Sequence, residues 1–129
     1  MTSKLQVDNL EGRTTKGSIT VTGESNGAST NLQQGLAKNW VFFDGTGTIA
    51  IADSFNCASL TDAGTGDYEN NLTNAIASTS YMAITCSGHF HSVDGGHNSS
   101  STYSLEVYGT SHSAADVGRC SMGLYGDLA

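Results

Sequence analysis

The residues with the clearest chemical potential are three histidines in the segment GHFHSVDGGH, residues 88–97. His89 and His91 are two positions apart in a strand-like stretch, and His97 follows a Gly-Gly turn. Residues two apart on a strand project from the same face, and neutral imidazole binds Zn, Cu, Fe and Ni. The spacing makes His89, His91 and His97 a candidate transition-metal site. The simpler interpretation is that they are surface histidines beside a loop.

The sequence contains no complete set of residues for covalent or acid–base catalysis. No serine lies in a GxSxG sequence. Asp67 and Glu69 share a strand face and are the best candidates for a glycosidase-like carboxylate pair, but no complete set of catalytic roles can be assembled around them. Cys57, Cys86 and Cys120 fall on predicted strand faces, where inert core thiols are expected. The sequence therefore predicts a protein that is not an enzyme. It also predicts no resident cofactor, except for a transition metal at the candidate histidine site.

Charge is unevenly distributed along the chain. Residues 1–38 carry four basic and three acidic residues, whereas residues 39–129 carry Arg119 alone against nine acids. Phosphate binding requires clustered Lys and Arg, so we expect no nucleic-acid partner. Grouped carboxylates suit Ca²⁺, but a solvated acidic surface is the simpler interpretation.

Composition bounds the fold class. The chain has 129 residues, enough for one domain, with 37% hydrophobic and 13% charged residues, 16 glycines and no proline. Such a chain, with scattered Ile, Val, Phe and Tyr among Ser and Thr, suits β-strands joined by glycine turns. Its low apolar content also suggests that some apolar surface is buried against other copies.

Strand patterns recur through residues 39–129. Turns are predicted at Asp44-Gly45 and at residues 63–66, where Gly64 and Gly66 permit positive φ angles. Between the turns, apolar residues alternate with polar ones, so that each set shares one strand face: Trp40 and Phe42; Ile49 and Ile51; Met82, Ile84 and Cys86; Tyr103, Leu105 and Val107; Cys120, Met122 and Leu124. The sequence predicts an all-β body, an antiparallel β-sandwich or jelly-roll-like domain.

Residues 1–38 differ and are interpreted as an extended N-terminal arm. One strand is predicted between Gly17 and Gly23, followed by a short helix capped by Ser29 or Thr30. We expect the arm to dock on another subunit through its apolar residues, with a first strand packed on its own body as the alternative. The expected attachment residues are Leu5, Val7, Leu10, Ile19 and Val21.

The segment VDNLEGRTTKGSITVTGE, together with LQQGLAKNWVFFDGTGTIAIADSFNCASLTDAGTGDYENNLTNAIASTSYMAI, resembles a recurring module in tail-fibre and virion structural proteins of tailed bacteriophages, notably those of marine bacteria. The resemblance covers residues 5–85, and DSFN with GTGDY is its most specific part. Cys57 stands where an aliphatic residue is common, and Asn70 replaces an inward apolar residue. The resemblance implies a non-enzymatic β module present in several copies on a virion, often as a trimer, and carries over no catalytic residue.

These observations predict a virion structural protein, a short fibre or a capsid or tail decoration, assembled as a homotrimer with other virion subunits. The alternatives are the receptor-binding tip of a tail fibre and a carbohydrate-binding module, for which Tyr103, Tyr108 and Tyr125 are candidate glycan contacts. An N-terminus without an apolar signal-peptide core and an odd number of cysteines predict synthesis and assembly in the host cytoplasm, with no disulfide and no membrane insertion.

Overall fold

The computed structural model describes two compact units, residues 1–35 and residues 36–129. The division lies three residues before the boundary expected after residue 38, because the first strand of the second unit already begins at Ala37. Within these units the structure describes residues 4–14, 18–24, 27–88, 91–96 and 98–126. For residues 91–95 it describes the backbone only.

The N-terminal unit contains a small hairpin. Strand β1 (Thr20–Thr22) pairs antiparallel with strand β2 (Ser29–Asn31). Helix α1 (Leu32–Gly35) follows directly and is a single turn. Among the described residues, no helix has both the length and the apolar character needed to span a membrane.

The cap of helix α1 is Asn31 rather than Ser29 or Thr30, so that prediction is wrong. The Asn31 Oδ1 atom accepts hydrogen bonds from the backbone N–H groups of Gln33, at 2.8 Å, and Gln34, at 3.2 Å. This is the geometry of an N-cap, which satisfies donors that a helix start leaves open. Ser29 and Thr30 belong to β2, where their backbone groups pair with β1.

In the described part of the C-terminal unit, eight strands form two four-stranded antiparallel sheets. The first sheet has the order β4-β3-β10-β7 and the second has the order β5-β6-β9-β8. The prediction of an all-β antiparallel sandwich is therefore confirmed. The strands are β3 (Ala37–Asp44), β4 (Ala50–Phe55), β5 (Cys57–Gly64), β6 (Asp67–Leu72), β7 (Met82–Ser87), β8 (His91–Gly96), β9 (Thr102–Tyr108) and β10 (Cys120–Tyr125).

The core lies between the two sheets and follows from the two-residue period of the strands. Phe43 of the first sheet packs edge-to-face on Tyr68 of the second, with 5.1 Å between ring centroids. Tyr81 packs on Tyr103 in the same manner at 6.2 Å. The inward residues of β9 and β10 are two of the sets that the sequence predicts to share a strand face. The buried apolar core is Val41, Phe43, Tyr68, Leu72, Ile76, Tyr81, Tyr103, Leu105, Val107, Val117, Cys120, Met122 and Leu124.

A buried polar group lies within this core. The Asn39 Oδ1 atom accepts hydrogen bonds from the Tyr103 hydroxyl, at 2.5 Å, and from Asn70 Nδ2, at 2.9 Å. Asn39 Nδ2 in turn donates to the backbone oxygens of Phe55 and Asn56. Because buried polar groups require partners, this network fixes how β3, β6 and β9 align.

The chain passes from the first sheet to the second at one residue, Asn56, between β4 and β5. Its φ angle is 56°, a left-handed conformation that asparagine tolerates better than most residues. The Asn56 side chain accepts a hydrogen bond from the Asn74 N–H at 2.7 Å and donates to the Lys38 carbonyl oxygen at 2.9 Å. Asn56 is therefore the corner that links the two layers.

The turn between β5 and β6 confirms the expected role of its glycines. Gly66 has a φ angle of +70°, and its N–H donates to Asp116 Oδ1 at 2.7 Å. The same carboxylate oxygen accepts a hydrogen bond from the Tyr68 hydroxyl at 3.1 Å. Asp116 thus ties the turn to the core tyrosine, and burial raises the pKa of Tyr68 above its ordinary value.

Candidate interaction face

The outer surface of the first sheet carries large apolar side chains that the chain itself leaves half exposed. These residues are Trp40, Phe42, Phe55, Met82 and Ile84, with exposed fractions between 40% and 56%. We call this surface the apolar face. Single exposed apolar residues are ordinary, but a contiguous group on one sheet indicates a contact site.

The strand register makes these residues neighbours. Trp40 lies opposite Phe55 on one side and opposite Gly123 on the other, and Gly123 lies opposite Ile84. Phe55, Trp40, Gly123 and Ile84 therefore form one row across all four strands. Directly opposed side chains on a sheet have Cβ atoms about 5 Å apart, so the row is continuous apart from the gap at the glycine.

The second row across the same sheet is more polar. Phe42 lies between Asp53 of β4 and Ser121 of β10, and Ser121 lies opposite Cys86 of β7. The Asp53 carboxylate accepts a hydrogen bond from the Ser54 N–H at 2.8 Å. Asp53 therefore places a carboxylate directly beside Phe42 on the apolar face, and Asp44 follows Phe42 at the end of β3.

Gly123 has no evident role in the packing of its own chain. A Cβ atom added there would meet only the Asn39 carbonyl oxygen, at 3.7 Å, which is an ordinary contact. Glycine within a strand costs about 0.5–1 kcal/mol relative to alanine and often marks a place where another backbone or ligand approaches closely. The packing of the chain itself therefore does not require a glycine between Trp40 and Ile84, and the gap lies on the outer surface.

The outer surface of the second sheet is acidic. Asp67, Glu69 and Glu106 lie on this surface, since each alternates along its strand with buried residues, and the strands of this sheet carry no Lys or Arg. The strands of the first sheet carry Asp44, Asp53 and the buried Lys38. We call the outer surface of the second sheet the acidic face. The two outer surfaces therefore differ in chemistry: one is rich in large apolar side chains and the other in carboxylates.

Hydrogen bonds organise part of the acidic face. The Tyr108 hydroxyl donates to Glu106 Oε2 at 2.5 Å, and this acceptor raises the pKa of Tyr108. The pKa of Asp67 is raised first by partial burial and then by the negative charges of Glu106, Glu69 and Asp62. The acidic face is therefore a repulsive surface whose charges are held close together.

Replacing Asp67 with asparagine is expected to stabilise the protein slightly at neutral pH. Since the folded-state pKa of Asp67 lies above its unfolded value of 3.8, the stability linked to its proton is present below that value and is lost as pH rises through the folded pKa. Asp67→Asn should therefore raise the free energy of unfolding at pH 7 by about 0.5 kcal/mol or less, because solvent screens the repulsion. Urea unfolding at pH 7 and pH 3 measures this; a gain that persists at pH 3 would contradict the electrostatic cause.

The predicted attachment residues are exposed in the N-terminal unit. Exposed fractions are 79% for Leu5, 56% for Val7 and 54% for both Leu10 and Val21, while Ile19 is partly buried. Nothing tests whether they contact another subunit, and attachment stays a prediction.

The three candidate glycan-contact tyrosines lie in three different places. Tyr103 is fully buried, because its ring packs on Tyr81 and its hydroxyl bonds to Asn39, so its assignment as a glycan contact is wrong. Tyr108 lies on the acidic face beside Glu106. Tyr125 lies opposite Met82 and borders the apolar face. The structure therefore does not bring them together as one site.

The candidate metal ligands fall largely outside the described residues. His89 and His97 are not among them, and only the backbone of His91 is described, at the start of β8 opposite Tyr108. Among the residues whose side chains are described, no group of three or more His, Cys, Asp or Glu is arranged to hold a metal ion. Metal binding by the three histidines stays a prediction.

The three cysteines are free thiols with different exposures. Cys120 is buried in the core, and burial raises its pKa to about 11. Cys57 is half-buried, which raises its pKa also. Cys86 is exposed on the apolar face, so the expectation of a core position is wrong for this residue. Its neighbours on that strand face, Met82 and Ile84, point outward with it.

Sequence reasoning found the strand faces but missed that two of them are the outer surface. The sequence pattern does not mark Phe55 or Gly123 as surface residues. The available signal was that β3 is apolar on both faces, with Val41 and Phe43 inward and Trp40 and Phe42 outward. A strand that is apolar on both faces is expected to be covered on both.

Comparison with known proteins gave no further guide. No protein-family model, no curated protein and no solved structure matches this chain.

Proposed function

We propose that this chain is a non-enzymatic structural protein of a tailed-bacteriophage virion, a short fibre or a capsid or tail decoration on the particle surface. It acts by assembly and binding, as a homotrimer that attaches to other virion subunits through its N-terminal arm. Its synthesis and assembly take place in the host cytoplasm.

The observation that carries this proposal is the contrast between the two outer surfaces of the sandwich. The apolar face leaves five large side chains about half exposed, and water contact with that much apolar surface is unfavourable. The acidic face carries the three carboxylates Asp67, Glu69 and Glu106 on strands that have no Lys or Arg. In a particle built from many copies, the apolar face can be buried against other subunits while the acidic face stays in contact with solvent.

The segments that carry the proposed resemblance to phage virion modules have structural roles in the sandwich. DSFN supplies the end of β4 and the corner residue Asn56. GTGDY supplies the β5–β6 turn, with Gly66 in the left-handed conformation and Tyr68 in the core. Both segments fix the sandwich, so the resemblance concerns the framework rather than a binding partner.

The proposal is tested on purified particles of a phage that encodes this chain. We expect peptide mass spectrometry to find the chain in particles purified by density gradient, and antibodies against the acidic face to label the particle surface in electron micrographs. A chain found only in the soluble lysate, or particles that remain unlabelled, would contradict a virion role. Labelling at the head or at the tail would separate capsid decoration from a fibre.

A carbohydrate-binding module is the second candidate, and one observation favours it. Trp40, Phe42 and Phe55 lie side by side on the apolar face with the Asp53 carboxylate beside them, and aromatic faces flanked by a polar group bind sugar rings. Sedimentation of the chain with insoluble chitin or cellulose tests this function. Binding of the assembled chain to host cells would favour the receptor-binding tip of a fibre.

A further inference from the structure

We infer that the apolar face is the surface on which copies of this chain assemble, with three copies turning their apolar faces towards a common axis. This inference rests on the proposed homotrimer and assigns the residues that hold it together. Its central residues are Trp40, Phe42, Phe55, Ile84 and Gly123.

Charge determines which surfaces of two copies can meet. The chain has a formal net charge of −7, so copies repel one another at long range. The repulsion is strongest between acidic faces, which carry Asp67, Glu69 and Glu106 on strands without Lys or Arg. On the first sheet the outward carboxylates are Asp53 beside Phe42 and Asp44 at the end of β3, and β7 and β10 carry no charged residue. Contact through the apolar face therefore brings the fewest like charges together.

The size of the sheet fits a three-fold arrangement. Four strands about 4.8 Å apart make a sheet about 19 Å wide. Three such sheets enclose a triangular prism whose axis lies about 5.5 Å from each sheet, close to the roughly 5 Å that one side-chain layer occupies when sheets pack about 10 Å apart. Side chains of the apolar face would therefore fill the prism without a channel.

Edge protection also favours three copies over two. A strand about 20 Å long on a sheet about 19 Å wide presents roughly 400 Å², about half of the area that each partner buries in a standard interface. A face-to-face pair would bury this area and leave the outer strands β4 and β7 open. In the prism, β4 of one copy meets β7 of the next at each corner, so these edges are covered as well.

Gly123 is an independent sign of close approach. It lies at the centre of the apolar face between Trp40 and Ile84, and the chain itself has room for a Cβ atom there. A glycine that its own chain does not require leaves a depression into which a side chain of a second copy fits. We assign the Gly123 gap as the place where the copies approach most closely.

Two variants of the full-length chain test the assignment. Ile84→Lys places a charge on the apolar face, and Ser59→Lys places the same charge on an exposed position of β5 on the acidic face. Both changes lower the net negative charge, so dissociation cannot come from added long-range repulsion. Gly123→Val fills the central gap with a residue that favours strands, and a Cβ atom causes no clash within the chain.

Association is measured by sedimentation velocity, with circular dichroism as a check of folding. We expect the wild type and Ser59→Lys to sediment as the same oligomer, and Ile84→Lys and Gly123→Val to associate at least tenfold more weakly. Gly123→Val should unfold at no lower temperature than an equally dissociated Ile84→Lys. If Ile84→Lys does not fold, Gly123→Val decides the result.

Two spectroscopic and chemical signals report on the face itself. Trp40 is the only tryptophan, so its emission should shift to longer wavelength when the oligomer dissociates. Alkylation of Cys86, which is exposed on the same face, should be slow in the wild type and fast in Ile84→Lys. Cys120 should react slowly in both because it is buried in the core.

Three results would overturn the inference: a monomeric wild type, an oligomer that persists in folded Ile84→Lys or Gly123→Val, or dissociation of Ser59→Lys. These outcomes are separate from the virion role. Particles that contain the chain while the face variants stay assembled would leave the proposed function intact and refute the face. Face variants that dissociate while particles lack the chain would refute the function and support the face.

Discussion

Replacing Gly66 with alanine is expected to destabilise the folded chain by about 3–4 kcal/mol. Gly66 has a φ angle of +70°, where a non-glycine residue is strained by about 1–2 kcal/mol. A Cβ atom there would also lie 2.5 Å from the Val107 carbonyl oxygen and 2.8 Å from the Ala115 nitrogen. Both are backbone atoms, so relief requires movement of the β9 strand or of the segment that holds Asp116. Equilibrium urea unfolding measures the loss.

Gly47→Ala is the matched control for this effect. Gly47 also has a positive φ angle, +63°, but a Cβ atom there would meet nothing within 4 Å. The control should therefore lose only the conformational part, about 1 kcal/mol. Equal losses in the two variants would show that the close packing around Gly66 contributes nothing and would contradict the assigned role of the β5–β6 turn.

Deleting residues 1–23 is expected to abolish incorporation into the particle while leaving the β-sandwich folded. The body forms a compact unit of its own from residue 36 onwards. The deleted segment holds Leu5, Val7, Leu10 and Val21, all more than half exposed, which suits an extended segment that adds to another subunit. Copy number per particle, measured by quantitative mass spectrometry, should fall to background, and circular dichroism should remain that of a β protein.

A full-length variant separates the role of the arm residues from the effect of truncation. Changing Leu5, Val7 and Leu10 together to serine keeps the length and charge of the arm but removes its exposed apolar groups. We expect a comparable loss of incorporation. Normal copy number in either variant would place attachment in the body, and a truncated protein that fails to fold would show that the arm belongs to the core.

Strand periodicity made the sandwich predictable, because alternation and glycine turns are local properties of the sequence. The inward sets of β9 and β10 and the left-handed Gly66 follow directly from such patterns. The short helix predicted after the first strand is present, but it is a single turn, Leu32–Gly35. Leu32, Leu36 and Trp40 match a helical stripe, yet pairing of Ala37–Asp44 with β10 and β4 makes that segment a strand.

The side of each strand that faces water was not predictable from one chain. Trp40 and Phe42 are as apolar as Val41 and Phe43, and only the position of the second sheet determines which pair is inside. The same uncertainty explains Cys86, which is exposed with Met82 and Ile84. A tyrosine hydroxyl usually favours the surface, but in the core Asn39 and Asn70 are hydrogen-bond partners of the Tyr103 hydroxyl. The sequence does not reveal these partners, so the burial of Tyr103 was not predictable.

The molar mass of the full-length chain in solution tests the central claim, assembly of a multi-copy structural module, most directly. Light scattering coupled to size exclusion should give three times the chain mass of 13.3 kDa over a range of concentrations, with smaller species only on strong dilution. A monodisperse 13.3 kDa monomer at all concentrations, stable to heating with its apolar face in water, would contradict the account.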